Sequence, residues 1–184
     1  VDAKGKENVA PAPLKGAIGS VYELLDLGAS STVVTVELGD LMLGGYEDGC
    51  VPYVWNGITY YASGTKLKEL DKKIRLYSEA GIYVYLEMVQ TKAASELDDG
   101  VKRIVFDCPK GKNGYALNMT DSEGASRICG LFDLLAARYG NGGENGTASA
   151  FIIGRNVNDM SNWYAGGPAG ERGIHNYLKA VRAA

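Results

Sequence analysis

Four times along the chain a β-forming run is followed by an amphipathic helical run, and this order constrains the fold more than any single residue. A strand that returns to a parallel neighbour needs a crossover of a dozen residues or more, usually a helix, and such crossovers are right-handed. The expected class is therefore α/β, built of parallel (β/α) units with four strands and four helices. Two architectures share that alternation. One is half of a TIM barrel, whose full form takes about 250 residues; the alternative is an open doubly wound parallel sheet.

The segments are read from periodicity. Ile18, Val21, Leu24 and Leu25 recur at helical spacing between Pro13 and Leu27, with Gly28 placed as a C-terminal stop. Ser31 to Leu38, STVVTVEL, is β-branched and nearly continuously apolar, as expected of a strand covered on both faces. Around Asn56-Gly57, VPYVWNGITYYA predicts a β-hairpin near residues 51–62, because a two-residue type I′ turn needs positive φ at both positions. Leu67, Leu70, Ile74 and Tyr77 predict a helix over 65–80, followed by a strand over 82–89. After a polar excursion come a short third strand over 115–119 and a helix over 126–139 with Ile128, Leu131, Phe132 and Leu135 on one face. The strand Ser149 to Gly154 follows, then a Gly-rich loop, then a last helix with Ile174, Tyr177, Leu178 and Val181 sharing a face. Residues 1–12 form an expected flexible segment, and 13–184 a single (β/α)4 half-barrel domain carrying the hairpin.

At 184 residues and 46% hydrophobic, the chain can bury a sizeable core. Its net charge of -3 supplies no basic field for a phosphate backbone, and no apolar run reaches the roughly 20 residues that cross a bilayer. Nucleic acid and membrane are not expected partners. Cys50, Cys108 and Cys129 are widely spaced, and His175 is the single histidine, so neither a metal site nor a Ser-His-Asp triad is expected and no cofactor is implied. The chain begins at Val1 instead of Met, which implies removal of something upstream. The compartment stays open, with an extracellular or cell-surface place the favoured expectation.

No G-x-G-x-x-G, G-x-x-x-x-G-K-[ST] or G-x-S-x-G motif is present, so dinucleotide, nucleotide and α/β-hydrolase readings lose their support. What remains is a set of polar residues at the carboxyl ends of the expected strands, where parallel α/β folds bind ligands. These are Glu37 and Asp40 after the first, Glu87 and Gln90 after the second, Asn118 and Asp121 after the third, and Asn156, Asn158 and Asp159 after the fourth. Taken singly, each is more simply structural, Asp159 as a turn residue for instance. Trp55 in the hairpin, with Trp163 and Tyr164 after the last strand, adds flat aromatic faces of the kind that stack on sugar rings, although packing beneath long loops explains them equally well.

The runs LGASSTVVTVEL, YYASGTKLKELDKKIRLYSEAGIYVYLEMV, LFDLLAARYG and FIIGRNVND with NWYAGG resemble an uncharacterised bacterial family of glycoside-hydrolase-like TIM barrels, domain of unknown function 5722. The resemblance implies a family pattern of glycine, asparagine, glutamate, valine, asparagine at the last strand. Here it stands as Gly154, Arg155, Asn156, Val157, Asn158, which puts Asn156 where the general acid/base belongs and Arg155 before it. An amide cannot protonate a glycosidic oxygen, and retaining and inverting hydrolysis both need two carboxyl groups. The resemblance also places the nucleophile on a late strand beyond Ala184, so a truncated barrel is expected.

The resulting expectation is a carbohydrate-active fragment, inactive alone, with a polysaccharide- or oligosaccharide-facing surface. Asn156, Glu37 and Glu87 occupy the catalytic positions, and Asn118, Arg155, Asn158, Asp159, Trp55, Trp163 and Tyr164 face the ligand. The alternatives are a non-catalytic glycan-binding or scaffold protein and an open α/β domain for an unrelated small ligand. Unpaired strand edges add an expectation of self-association, unless a C-terminal half covers them.

Overall fold

The computed structural model describes residues 15–184. The expected flexible segment 1–12 lies outside the described residues. The first helix, α1 (Val21–Asp26), starts later than its periodicity suggested because Ser20 caps it: Ser20 and Glu23 form a reciprocal capping box. Ile18 stays outside, 80% exposed. Next come β1 (Ser31–Glu37), the single turn α2 (Leu38–Leu41), β2 (Met42–Leu43), β3 (Val51–Trp55) and β4 (Ile58–Ala62). The chain continues through α3 (Gly64–Glu79), β5 (Tyr83–Val89), short 3-10 turns at Ala94–Glu96 and Lys102–Ile104, α4 (Ser122–Tyr139), β6 (Ala150–Ile153) and α5 (Glu171–Ala183).

Two sheets result. β1, β5 and β6 form a parallel sheet in that spatial order, while β2, β4 and β3 form an antiparallel one. The β3–β4 turn has Asn56 at φ 50 and Gly57 at φ 79, the positive angles its type demands. The small sheet docks on α4: a side chain at Gly130 would stand 2.9 Å from the Trp55 Cβ and 3.0 Å from the Tyr53 ring, so the helix needs glycine there. The Tyr60 hydroxyl closes the contact by donating to the Ser126 hydroxyl at 2.9 Å.

The parallel sheet has three strands, where four were expected. Residues 115–119 form no strand, because their backbone groups are divided among several partners. Tyr115 N–H donates to the Gln90 carbonyl (2.8 Å), Ala116 N–H to Ala165 (2.9 Å) and Asn118 N–H to Ile104 (2.7 Å). The segment crosses beyond the carboxyl end of β5, and β5 pairs directly with β6.

The expectation that β1 is covered on both faces is also corrected. Val34 and Val36 of β1, Val84, Leu86 and Met88 of β5 and Ile153 of β6 are buried. They meet α3 through Leu67, Leu70 and Ile74, and α4 through Leu131, Phe132 and Leu135, in one core. Phe132 lies 6.1 Å from Phe151, centroid to centroid. The alternate residues lie on the other face: Val33, Tyr83 and Tyr85 are half-buried, and Thr35, Ala150 and Ile152 exposed. Among the described residues no helix covers that face. Continuous β-branching did not report it, because Val33 and Thr35 suit a pleated strand whether or not they are buried.

Helix α5 departs from its pattern too. Gly173, Asn176 and Ala180 form its buried side, and Ile174, Leu178 and Val181 remain exposed. Polar fit explains this. The Asn176 amide accepts from Met119 N–H (3.0 Å) and donates to the Leu117 carbonyl (2.8 Å), and the Tyr177 hydroxyl donates to the Ile153 carbonyl (3.1 Å).

Helices α3 and α4 are clamped by one ionic cluster. Arg138 reaches Asp71 through Nε (2.6 Å) and Nη2 (2.5 Å), and the Tyr139 hydroxyl donates to Asp71 at 2.8 Å. Burial alone would raise the Asp71 pKa, but the hydrogen bonds from Arg138 and Tyr139 hold it below the ordinary value. A depressed folded pKa contributes stability above the ordinary pKa of 3.8 and loses it as pH falls through the folded one. We expect Arg138→Ala, which leaves the carboxylate buried beside only Tyr139, to cost about 3 kcal/mol in urea unfolding at neutral pH. The deficit shrinks in acid.

Candidate functional site

The carboxyl ends of β1, β5 and β6 bring three polar side chains together on the open face. Register sets Thr35 directly beside Glu87, with Ile152 on the far side of Glu87. Beyond β6 the chain turns at Gly154, whose φ of 74 is open to glycine at no steric cost. Arg155 then folds back over Glu87. Its Nε donates to Glu87 Oε1 at 2.9 Å, its Nη2 pairs with Oε2, and the same Nη2 donates to the Thr35 hydroxyl at 3.0 Å. Thr35 in turn donates to Glu87 Oε2 at 3.1 Å.

This arrangement decides the charge on Glu87. The residue is 9% exposed, and the forked hydrogen bonds from Arg155 outweigh burial and hold its carboxyl below the ordinary range. It is an ionised, fully engaged acceptor at neutral pH. A group in that state cannot deliver a proton, so Glu87 in this geometry is an anchor for Arg155 and no general acid.

Glu37, one step further along the same face, has the opposite character. Burial dominates and raises its pKa, although Thr91 donates to it through its backbone N–H (2.9 and 3.0 Å) and its hydroxyl (2.8 Å). Asp40 nearby pairs with Lys92. Glu37 is thus the strand-end carboxyl whose pKa is moved upward, opposite to Glu87.

A narrow cleft opens at the ends of β5 and β6, with Thr91, Asn113, Arg155, Trp163 and Tyr164 in its wall. Two loops are pinned together to make it. Gly114 N–H donates to the Asn162 carbonyl (3.0 Å), Ala165 N–H donates back to Gly114 (3.1 Å), and a side chain at Gly114 would lie 2.4 Å from the Trp163 carbonyl oxygen. Tyr164 is 3% exposed and edge-on to Tyr177; burial pushes its hydroxyl pKa up to about 12. Tyr164 is therefore a wall residue, and Trp163, half-buried, is the aromatic that retains a free surface.

The other sequence candidates divide clearly. Asn156, exposed at φ 47, and exposed Asn158 stand on the loop beside Arg155 and outside the cleft wall. Asp159 builds that loop, accepting from the Ser161 hydroxyl (2.6 Å) and the N–H groups of Ser161 and Asn162. The Asn118 side chain accepts from the Thr120 hydroxyl (2.6 Å) and the N–H groups of Thr120 and Asp121, forming the turn that leads into α4. Trp55 lies against α4 with the hairpin. Thr35, Thr91 and Asn113 are the site residues that sequence reasoning missed. Only Thr35 carried a signal, its two-residue offset from Glu37 on the same strand.

Among the described residues no group of three or more His, Cys, Asp or Glu side chains is placed to hold a metal ion, and no helix is long and apolar enough to cross a membrane. Removal of the guanidinium tests the description of Glu87. In Arg155→Ala the guanidinium's hydrogen bonds and charge are gone while burial and the Thr35 hydroxyl remain, so the Glu87 pKa should rise from its lowered value. Carboxyl chemical shifts followed by NMR across an acid titration measure it. In the unsubstituted protein the pair's contribution to stability is present above pH 4.5 and is lost as pH falls through the lowered value.

No curated protein and no solved structure matches the chain. One family does, described as a family of unknown function, and its match runs over residues 11–184, taking in every strand end, the cleft and the pinned loops. The chain therefore belongs to that family, DUF5722.

Proposed function

We propose that the protein is a glycoside-hydrolase-like carbohydrate-binding unit that meets a glycan on the surface at the ends of β5 and β6, and that its own residues bind without hydrolysing. The observation that carries this is the pairing of Glu87 with Arg155 beside an accessible indole. A sugar ring offers an apolar face for Trp163 and hydroxyls for the exposed Asn113 amide and the free N–H of Arg155.

The parallel strands support placing this site in a half-barrel framework. Their spatial order follows chain order, β1 to β5 to β6, with no reversal among them. A doubly wound sheet binds at the point where its order reverses, whereas consecutive strands of a (β/α) barrel succeed one another around the ring. The one-sided burial fits the same framework.

A second reading, hydrolysis, rests on Glu37, whose raised pKa suits a proton donor. Calorimetric titration with soluble plant and bacterial polysaccharides separates the two. On the binding reading Trp163→Ala weakens association tenfold or more, about 1.4 kcal/mol, and no reducing sugar is released. Release of reducing sugar that disappears in Glu37→Gln transfers the assignment to hydrolysis. Absence of binding by the unsubstituted protein across the whole panel removes the carbohydrate reading.

A further inference from the structure

The geometry points to a second binding site, separate from the cleft at the strand ends: a groove between α5 and the segment leading into α4 that takes an aromatic carboxylate.

The groove has a volume of about 490 Å³, within the roughly 300–1,000 Å³ of ordinary ligand sites. Phe106 and Pro168 give it two apolar ring surfaces, and Arg172, His175 and Lys179 of α5 stand along its length. Both walls are described parts of the chain, and they are fixed to one another from within. The Asn176 amide in the floor holds the Met119 N–H and the Leu117 carbonyl. A side chain at Gly173 would lie 2.2 Å from the Pro168 carbonyl oxygen, and one at Gly166 would lie 2.8 Å from the Cys108 Cβ and 3.4 Å from the Phe106 Cβ. The groove's shape is therefore set by close backbone approaches that glycine permits, and it is preorganised before any ligand arrives. The exposed apolar residues Ile174, Leu178 and Val181 lie on another side of α5 and take no part in it.

Spacing and charge select the ligand. Residues 172, 175 and 179 follow at intervals of three and four and so form one stripe, with Arg172 and Lys179 roughly 4.5 and 6 Å along the axis from His175. Side chains of their length can both reach one group above His175. In the strand-end cleft Arg155 is neutralised by Glu87, but among the described residues neither Arg172 nor Lys179 belongs to an ion pair. Glu171 is the one carboxylate in the wall, which leaves the groove with a surplus of positive charge. An aromatic acid meets both conditions. Its ring lies against Phe106 and Pro168, and its carboxylate accepts from the forked N–H groups of Arg172 and the ammonium of Lys179. A neutral sugar would instead press hydroxyls against those apolar rings without partners.

Titration of the isotope-labelled whole chain with 2-naphthoate, followed by amide NMR spectra, tests this, with 2-naphthamide as the uncharged control of the same shape. The signals of Phe106, Thr120 and residues 172–179 should shift and saturate below about 1 mM. The control should bind at least tenfold more weakly. Arg172→Gln combined with Lys179→Gln, both at exposed positions, should weaken 2-naphthoate tenfold or more and leave the rest of the spectrum in place. Trp163→Ala, in the strand-end cleft, should leave 2-naphthoate binding unchanged. Shifts confined to other residues, no saturation, or equal binding of acid and amide overturns the proposal. So does a double variant that binds as tightly as the unsubstituted protein, or a loss of binding in Trp163→Ala, which assigns the ligand to the strand-end cleft.

Discussion

Strand β5 is the constraint on which the rest of the molecule depends. It is the central strand of the parallel sheet, hydrogen-bonded to β1 over seven residues and to β6 over four, and three of its residues, Val84, Leu86 and Met88, are wholly buried. Its carboxyl end then receives everything that makes the site. Gln90 spends its side chain on Gly39 N–H and the Lys92 carbonyl and gives its backbone carbonyl to Tyr115. In this way the end of β1, the loop after β5 and the segment 113–118 are tied to a single residue. The pairing of Glu87 with Arg155 ties the end of β6 to the same strand.

Two carboxyl groups on one sheet face have their pKa values moved in opposite directions by their surroundings. Glu87 faces a forked guanidinium that lowers its pKa, while at Glu37 burial outweighs the hydrogen bonds from Thr91, with the charges of Asp40 and Lys92 acting in opposite senses. A strand end with polar residues is therefore not a uniform surface. It divides into an ionic anchor and a carboxyl of raised pKa, and the binding and hydrolytic readings differ in which of the two a ligand meets.

Much of the fold was legible. The helices around Leu67, Ile74, Ile128 and Leu131 announce themselves by spacing, and the Asn56-Gly57 turn by the positive φ that few other pairs accept. The third strand misled because a short apolar run looks alike whether it pairs in a ladder or divides its hydrogen bonds among Gln90, Ile104 and Ala165. Helix α5 misled for a related reason: its buried side is made of Gly173, Asn176 and Ala180, which carry little hydrophobic signal. At the site, Glu37 and Glu87 were named from their positions at strand ends, Arg155 through the family resemblance, and Trp163 as an aromatic in the loop after the last strand. Nothing local pairs Arg155 with a residue 68 positions earlier, or sets Asn113 near Trp163, because those contacts arise only from register and loop docking.

Asn156 has a backbone conformation that bears on the history of the site. At φ 47 it occupies the left-handed region, where asparagine is tolerated and most other side chains pay about 1–2 kcal/mol. A glutamate substituted there would meet that strain and would also begin on an exposed loop, outside the cleft wall. A substitution could place a carboxylate at this position on paper. Turning it into a working acid would require the turn from Gly154 to Asp159 to be rebuilt, and Arg155 to release Glu87, so the chemistry of this strand end is separated from a hydrolytic one by backbone shape as well as by side-chain identity.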